Sequence, residues 1–157
     1  MRRRDKEITD EALIEEILSS SQICRIAMID GADPYLVPVN YGYADRALYF
    51  HSAAGGKKID ILRRTDRVCF EIENFTAIVT DAVPCEWTTK YRSVIGYASV
   101  AFLDDDADKK RGLDIIMAQH GKKDGNEYNE NQVRSIVVVK LSIVSITGKQ
   151  SGDWDDV

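Results

Sequence analysis

The chain is poor in the residues that build covalent frameworks and metal centres. Its three cysteines, Cys24, Cys69 and Cys85, are odd in number, far apart and without a CxxC pair. That pattern argues against a disulfide scaffold or a zinc site and is expected of reduced thiols in a cytoplasmic protein. Only two histidines occur, His51 and His120, and no carboxylate motif accompanies them, so no metal site is expected. No apolar run approaches the roughly 18 residues that cross a bilayer. The start, Met1-Arg2-Arg3-Arg4, is followed by Asp5, Lys6 and Glu7 instead of an apolar core, which suits neither a signal peptide nor an anchor. GxxxxGK[ST] and GxGxxG are both missing, which argues against a nucleoside-triphosphatase and a dinucleotide-binding βαβ unit. No Ser-His-Asp or Cys-His arrangement can be assigned, so a nucleophile-based hydrolase lacks support. Internal repeats, low-complexity segments and linkers are absent too.

The charge is −5, from 21 basic and 26 acidic residues, which argues against a nucleic-acid surface. Part of the acidity is local. Asp104, Asp105, Asp106 and Asp108 form one run, and Asp153, Asp155 and Asp156 another, both read as solvated turns or tails. A length of 157 residues suits one domain spanning 1–157, able to bury roughly two-thirds of its unfolded surface. An N-terminal helical segment is expected within 2–22 and a flexible tail over 152–157.

Thr9 can cap a first helix, with Asp10 and Glu11 in its first turn and Leu13, Ile14, Ile17 and Leu18 on one face. Cys24 to Ile29 reads as a strand, and Tyr35 to Tyr43 as a second one containing Pro38. Proline cannot donate to a ladder, so Pro38 marks a bulge, an edge or an opening toward a ligand. A turn at Ala44-Asp45-Arg46 leads into a strand from Ala47 to His51, then a short helix from Lys57 to Arg64. Arg67 to Glu73 and Thr76 to Val83 read as two further strands. Glu86 to Phe102 is long and extended, with a bulge or corner at Gly96. A helix at Ala107 to Gln119, a polar loop from Gly121 to Asn131 and a last strand from Arg134 to Ile146 complete the order. Strands with helices inserted among them point to an α+β fold, a mainly antiparallel barrel of six or seven strands.

The richest stretch is Pro34 to Leu62, PYLVPVNYGYADRALYFHSAAGGKKIDIL. Gly55-Gly56-Lys57-Lys58 follows a strand and opens a helix. Glycines let backbone approach a ligand, helix-start amides favour an anion, and two ammonium groups add charge, so the arrangement suits a phosphate. The alternative is a flexible loop before a solvated lysine pair. His51, at the preceding strand end, is either a structural histidine or a group beside a cofactor. His120 reads as a helix C-terminal dipole partner. Cys85 reads as inert, Trp87 as core or interface, and Arg92 as surface or paired across an interface.

Taken in order, several segments resemble the pyridoxamine-phosphate-oxidase-like flavin-binding split barrels, and among them the 5-nitroimidazole-resistance (Nim) group. They are RRRDKEITD (Arg2 to Asp10), CRIAMIDG (Cys24 to Gly31), PYLVPVNYGY (Pro34 to Tyr43) and LYFHSAAGGKKIDILRR (Leu48 to Arg64). RVCFEIE (Arg67 to Glu73), PCEWTTKYRSVIGYASV (Pro84 to Val100) and ITGKQS (Ile146 to Ser151) continue the series. The resemblance implies a homodimer with two flavin mononucleotide (FMN) sites at the interface. It places Val37, Pro38, Val39, Asn40 and Tyr41 along the flavin ring, and Phe50, His51 and Ser52 at the ribityl and ring region. Gly56, Lys57 and Lys58 would hold the phosphate, and Ser93 would reach the ring from another strand, where the oxidases commonly carry glutamine. His51 is the candidate catalytic residue. Lys57 stands where the oxidases commonly carry arginine, exchanging a fork for a point charge. The oxidases' C-terminal extension with substrate-phosphate residues is missing, so pyridoxamine phosphate oxidation is not expected. The implied function is flavin-dependent reduction of small electron-poor molecules such as nitro-aromatics. The alternative is an FMN- or haem-binding protein without turnover, with His51 as the axial ligand if haem were bound.

Overall fold

The computed structural model describes residues 3–122, 124–152 and 154. Among them, eight antiparallel strands form one sheet: β1 (Glu7–Ile8), β2 (Ile23–Asp30), β3 (Asp33–Asn40), β4 (Gly42–Ala44), β5 (Ala47–Ala53), β6 (Arg67–Val79), β7 (Thr88–Leu103) and β8 (Ile136–Ser151). Four helices join them: α1 (Glu11–Ser20), α2 (Lys57–Leu62), α3 (Asp106–Gln119) and α4 (Glu130–Ser135). The fold is therefore α+β, as the sequence indicates, with the two short strands β1 and β4 raising the count to eight. No described helix is long and apolar enough to cross a membrane.

The strand order is β3-β2-β6-β7-β8-β5-β4, with β1 added on β8. β3 and β4 occupy opposite ends of this path, yet only Tyr41 separates them in the chain. One residue spans at most about 3.6 Å. The sheet must therefore curl until its two ends nearly meet, without a ladder between them. The result is an open split in place of a closed barrel.

Four local expectations change. Asp10, not Thr9, caps α1, its carboxylate accepting from the Ala12 amide at 2.9 Å. The two strands expected between Arg67 and Val83 are one strand, β6, with a register shift between Glu73 and Phe75. The acidic run at Asp104 to Asp108 is a helix start: Asp105 caps α3, accepting from the Ala107 amide at 2.8 Å, and Asp106 and Asp108 sit in its first turn. Carboxylates suit that end of a helix dipole. The loop expected over 121–131 also gives way, at Glu130, to α4.

Two cores result. Inside the curled sheet, Ile26, Tyr41, Phe50, Phe70, Ile72 and Leu141 are fully buried with Ile17 and Leu18 of α1 and Ile59, Ile61 and Leu62 of α2. On the far side of β5 and β8, Ala47, Tyr49 and Val138 pack with Leu113 and Ile116 of α3 and Val133 of α4. β5 is thus covered on both faces, which explains the unbroken apolar run Ala47-Leu48-Tyr49-Phe50. Gly96 lets Phe70 into the first core: a Cβ there would run into the Phe70 ring and lie 2.8 Å from the Ser145 carbonyl oxygen.

The outer face of β3, β2, β6 and β7 carries apolar residues that none of the described residues covers. Register aligns Leu36, Ala27, Cys69 and Tyr97 in one row, and Pro38, Arg25, Glu71 and Ile95 in the next. Leu36, Ile95 and Tyr97 are 60%, 49% and 47% exposed. The tail expected over 152–157 falls mostly outside the described residues. Trp154, which is described, stands edge-on to Phe75 at 5.3 Å and faces the Arg92 guanidinium at 3.7 Å.

Candidate functional site

All the expected site residues but Ser93 lie on, or next to, the strands and the helix that border the split. Among the described residues β3 pairs only with β2, so its other edge keeps free backbone groups, and Pro38 is tolerated on an edge strand. Along β3, Pro38 and Asn40 are exposed, Val39 is buried, and Val37 packs against the core. Tyr41 is buried and its hydroxyl donates to the Leu18 carbonyl at 2.6 Å, which fixes the crossing from β3 to β4. Burial pushes that hydroxyl's pKa well above the usual tyrosine value. Tyr41 can therefore meet a ligand only through its backbone.

Across the split, Phe50 points into the core, and His51, next along β5, faces the opposite side. α2 begins just beyond the strand. Gly56, its N-cap, has φ 107° and ψ 161°, a conformation that only glycine adopts without strain. No side chain caps this helix, so its first amides remain available to an anion. The two lysines diverge from there. Lys57 places its ammonium 4.9 Å from the Tyr35 ring centroid on β3, and Lys58 places its own 5.5 Å from the Phe50 centroid on β5. The pair thus straddles the split, one cation toward each lip.

The electrostatics are uneven. Asp30, at the end of β2, holds Lys57 at 3.1 Å and Arg64 at 3.2 Å. The hydrogen bond from Lys57 lowers the Asp30 pKa below the ordinary carboxylate value. Lys58 forms no salt bridge among the described residues, and partial burial lowers its pKa. The His51 pKa is lowered too, first by burial and then by the nearby charge of Lys58, which favours the neutral imidazole. A neutral imidazole donates through one ring nitrogen and accepts through the other.

Beside His51 lies a hollow of about 200 Å³, lined by Leu113, Tyr128, Asn129, Gln132, Val133 and Ile136. A larger apolar hollow of about 600 Å³ opens on the outer face between Met28, Ile29, Val68, Cys69 and Tyr97.

Ser93 does not join this constellation within one chain. It sits on β7, which the strand order places two strands from β5 and three from β3, about 10 Å or more away. His120 ends α3 as its C-cap. Trp87 is 53% exposed and donates from its indole nitrogen to the Asp81 carbonyl at 2.7 Å, so it is no core residue of this chain. Cys24 is buried, Cys69 half-buried and Cys85 exposed.

Sequence reasoning missed Asp30, Tyr35 and the lining of the His51 hollow. Asp30 followed by Gly31 reads as a turn, and nothing local announces an ion pair with a lysine in a distant helix. α4 carries one buried apolar residue, Val133, which is too little periodicity to declare a helix. Its Asn129 cap, accepting from the Asn131 amide at 2.9 Å, was the available signal.

Comparison with known proteins follows this geometry. A search of curated proteins returned no match. Among solved structures, a protein from Bacteroides thetaiotaomicron VPI-5482, provisionally named a 5-nitroimidazole antibiotic resistance protein, is 33% identical, with 91% of this chain and 85% of that chain covered and a TM-score of 0.81. The flavocytochrome Anf3 from Azotobacter vinelandii superposes at a TM-score of 0.84 with 17% identity, over 99% of this chain and 75% of its own. An FAD and haem binding protein from Mycobacterium smegmatis gives 0.84 and 18%, over 97% and 76%. These last two share the fold alone. The family profile described as pyridoxamine 5'-phosphate oxidase matches residues 10–150. With that match over most of its length, the chain belongs to the pyridoxamine 5'-phosphate oxidase-like family of split barrels.

Proposed function

We propose that this protein binds FMN at the split and reduces small electron-poor molecules of the nitro-aromatic kind, working as a homodimer. The observation that carries the reading is the placement of Lys57 and Lys58, one toward each lip of the split, beside the free edge of β3 and the neutral His51. The residues present fit the group: two ammonium ions and the uncapped amides of α2 suit a phosphate, and an unpaired strand edge suits the polar rim of a flavin ring. FMN bound there would supply the two electrons that turn a nitro group into a nitroso group, with uptake of two protons and release of water.

The chain's own residues would do the rest. Lys57, Lys58 and the α2 amides anchor the phosphate. Backbone groups from Val37 to Tyr41 set the ring position, with Val39 behind them in the core and Asn40 outside. Phe50 and Ser52 border the ribityl region. His51, being neutral, orients the acceptor by a hydrogen bond from its ring N–H and does not act as a strong acid. Ser93 lies too far along the sheet to meet the same flavin, so it would reach the ring bound by a second copy. The uncovered outer face with Leu36, Ile95 and Tyr97 is the surface that would join the copies.

The test is spectroscopic. The purified protein is expected to show a two-band flavin spectrum, to release FMN on denaturation and, once reduced without oxygen, to be reoxidised by nitrobenzene. A colourless protein that fails to take up added FMN would overturn the reading. A Soret band in place of the flavin bands would assign the site to haem, and tight FMN binding with no reoxidation by nitrobenzene would make it a carrier.

A further inference from the structure

The hollow beside His51 has a definite chemistry. Leu113, Val133 and Ile136 make its walls apolar, and the Tyr128 ring closes one side. Among the described residues no carboxylate lines it. Its polar groups are neutral: the imidazole and the amides of Asn129 and Gln132. The Asn129 oxygen is engaged in capping α4, which leaves the amide N–H groups of that side chain as donors.

The walls are braced from behind. Asp114 on α3 accepts from the Tyr128 hydroxyl at 2.8 Å and from the Asn126 amide at 2.9 Å, and this holds the segment before α4 in place. Lys110 pairs with Glu130 at 3.0 Å, tying α4 to α3, and Lys109 donates to the Ile136 carbonyl at 3.1 Å, tying the start of β8 to α3. A pocket fixed in this way loses little freedom when it is filled. Its size is matched to one ring. An apolar cavity of about 150 Å³ holds benzene, so one ring with one substituent fills about 200 Å³, and a second fused ring would project past the walls.

We propose that this hollow is the acceptor subsite and that it selects a neutral compound of one aromatic ring, with its dipolar group turned to the donors of His51, Asn129 and Gln132. The inference rests on the reductase reading for its chemistry. His51 joins the two regions, since it lines the hollow and lies near enough to Lys58 to feel its charge. Tyr128 is the specificity-determining wall, and Asp114 is its positioning residue.

The protein as purified would be titrated with nitrobenzene and with 1-nitronaphthalene while the NMR signals of the His51 ring and the Leu113 and Val133 methyl groups are followed. Nitrobenzene is expected to shift all three, and 1-nitronaphthalene to bind at least about tenfold more weakly. Gln132→Phe narrows the mouth from an exposed position and is expected to weaken nitrobenzene about fivefold or more while FMN is retained. Leu113→Phe fills the hollow from its wall and should do the same. Silence at these signals, shifts confined to Ile29 and Tyr97 on the outer face, equal binding of both rings, or indifference to Gln132→Phe would each overturn the subsite. The titration reads binding and not turnover. Binding here without reduction would sink the reductase reading and keep the subsite, whereas reduction of nitrobenzene with these signals unmoved would do the reverse.

Discussion

Asp30 and Lys57 lie 3.1 Å apart, and the same carboxylate reaches Arg64 at 3.2 Å. One of the two candidate phosphate cations is therefore already paired, while Lys58 has no such partner among the described residues. The pairing has two opposed effects: it fixes the direction of a flexible side chain, and it sets a negative charge beside the phosphate position. Between exposed groups the ion pair itself stabilises little, so the repulsion of an incoming dianion is expected to dominate.

From this follows the first expected outcome. A charged hydrogen bond contributes about 1.5–3 kcal/mol, so Lys57→Ala with Lys58→Ala should weaken FMN by about 100-fold or more. Riboflavin, which lacks the phosphate, should be nearly unaffected, and fluorescence titration separates the two ligands. Asp30→Asn should tighten FMN a few-fold at low salt. Weaker binding in that variant would mean that fixing the lysine matters more than removing the carboxylate.

His51 gives a pH signature. Its folded pKa lies below the ordinary 6.5, from burial first and Lys58 second. As pH falls through that ordinary value, the unfolded chain takes up a proton that the folded chain resists, so stability is lost toward acid. His51→Gln has no such proton to take. Urea midpoints of the wild type should fall relative to this variant between about pH 7.5 and pH 5.5. Parallel curves would place the imidazole in an ordinary solvated setting.

Gly96 offers a test of packing alone. A methyl group there meets the Phe70 ring and the Ser145 carbonyl, and overpacking of this kind costs about 1–3 kcal/mol. Gly96→Ala should lower the melting temperature by about 3–10 °C. Gly55→Ala is the control, because nothing lies within 4 Å of a Cβ at that position.

The outer face yields the assembly test. Ile95, 49% exposed in the row of Pro38, Arg25 and Glu71, should tolerate arginine as a monomer. Ile95→Arg is therefore expected to fold normally yet sediment as a single chain, whereas the wild type sediments as two. If assembly needs both copies to complete each site, this variant should also lose FMN.

Much of this architecture was legible because β residues and glycines act locally. The run from Ala47 to His51, the glycine pair and the lysines after it could be read in order, and an edge was one of three readings open for Pro38. The β6 bulge was not, because Asn74 and the register shift beside it interrupt the alternation and imitate a chain break. The split itself was hidden for another reason. It depends on where β3 and β4 fall in the strand order, and that order is set by pairings of β8 with β7 and β5 far along the chain. The same distance hid the His51 hollow, since Leu113, Tyr128 and Val133 meet a residue more than sixty positions earlier only after α3 and α4 fold back on β5.

β8 has a consequence for biosynthesis. The hairpins β2–β3 and β6–β7 can each close soon after translation, since their strands are neighbours in sequence. β5, which carries Phe50 and His51, has no sheet partner of its own apart from the three-residue β4 until residues 136–151 arrive to pair with it. A nascent chain held on the ribosome would therefore keep the apolar β5 uncovered for most of its synthesis. Loop closure over such separations is slow, and that window is where a chaperone would find this protein.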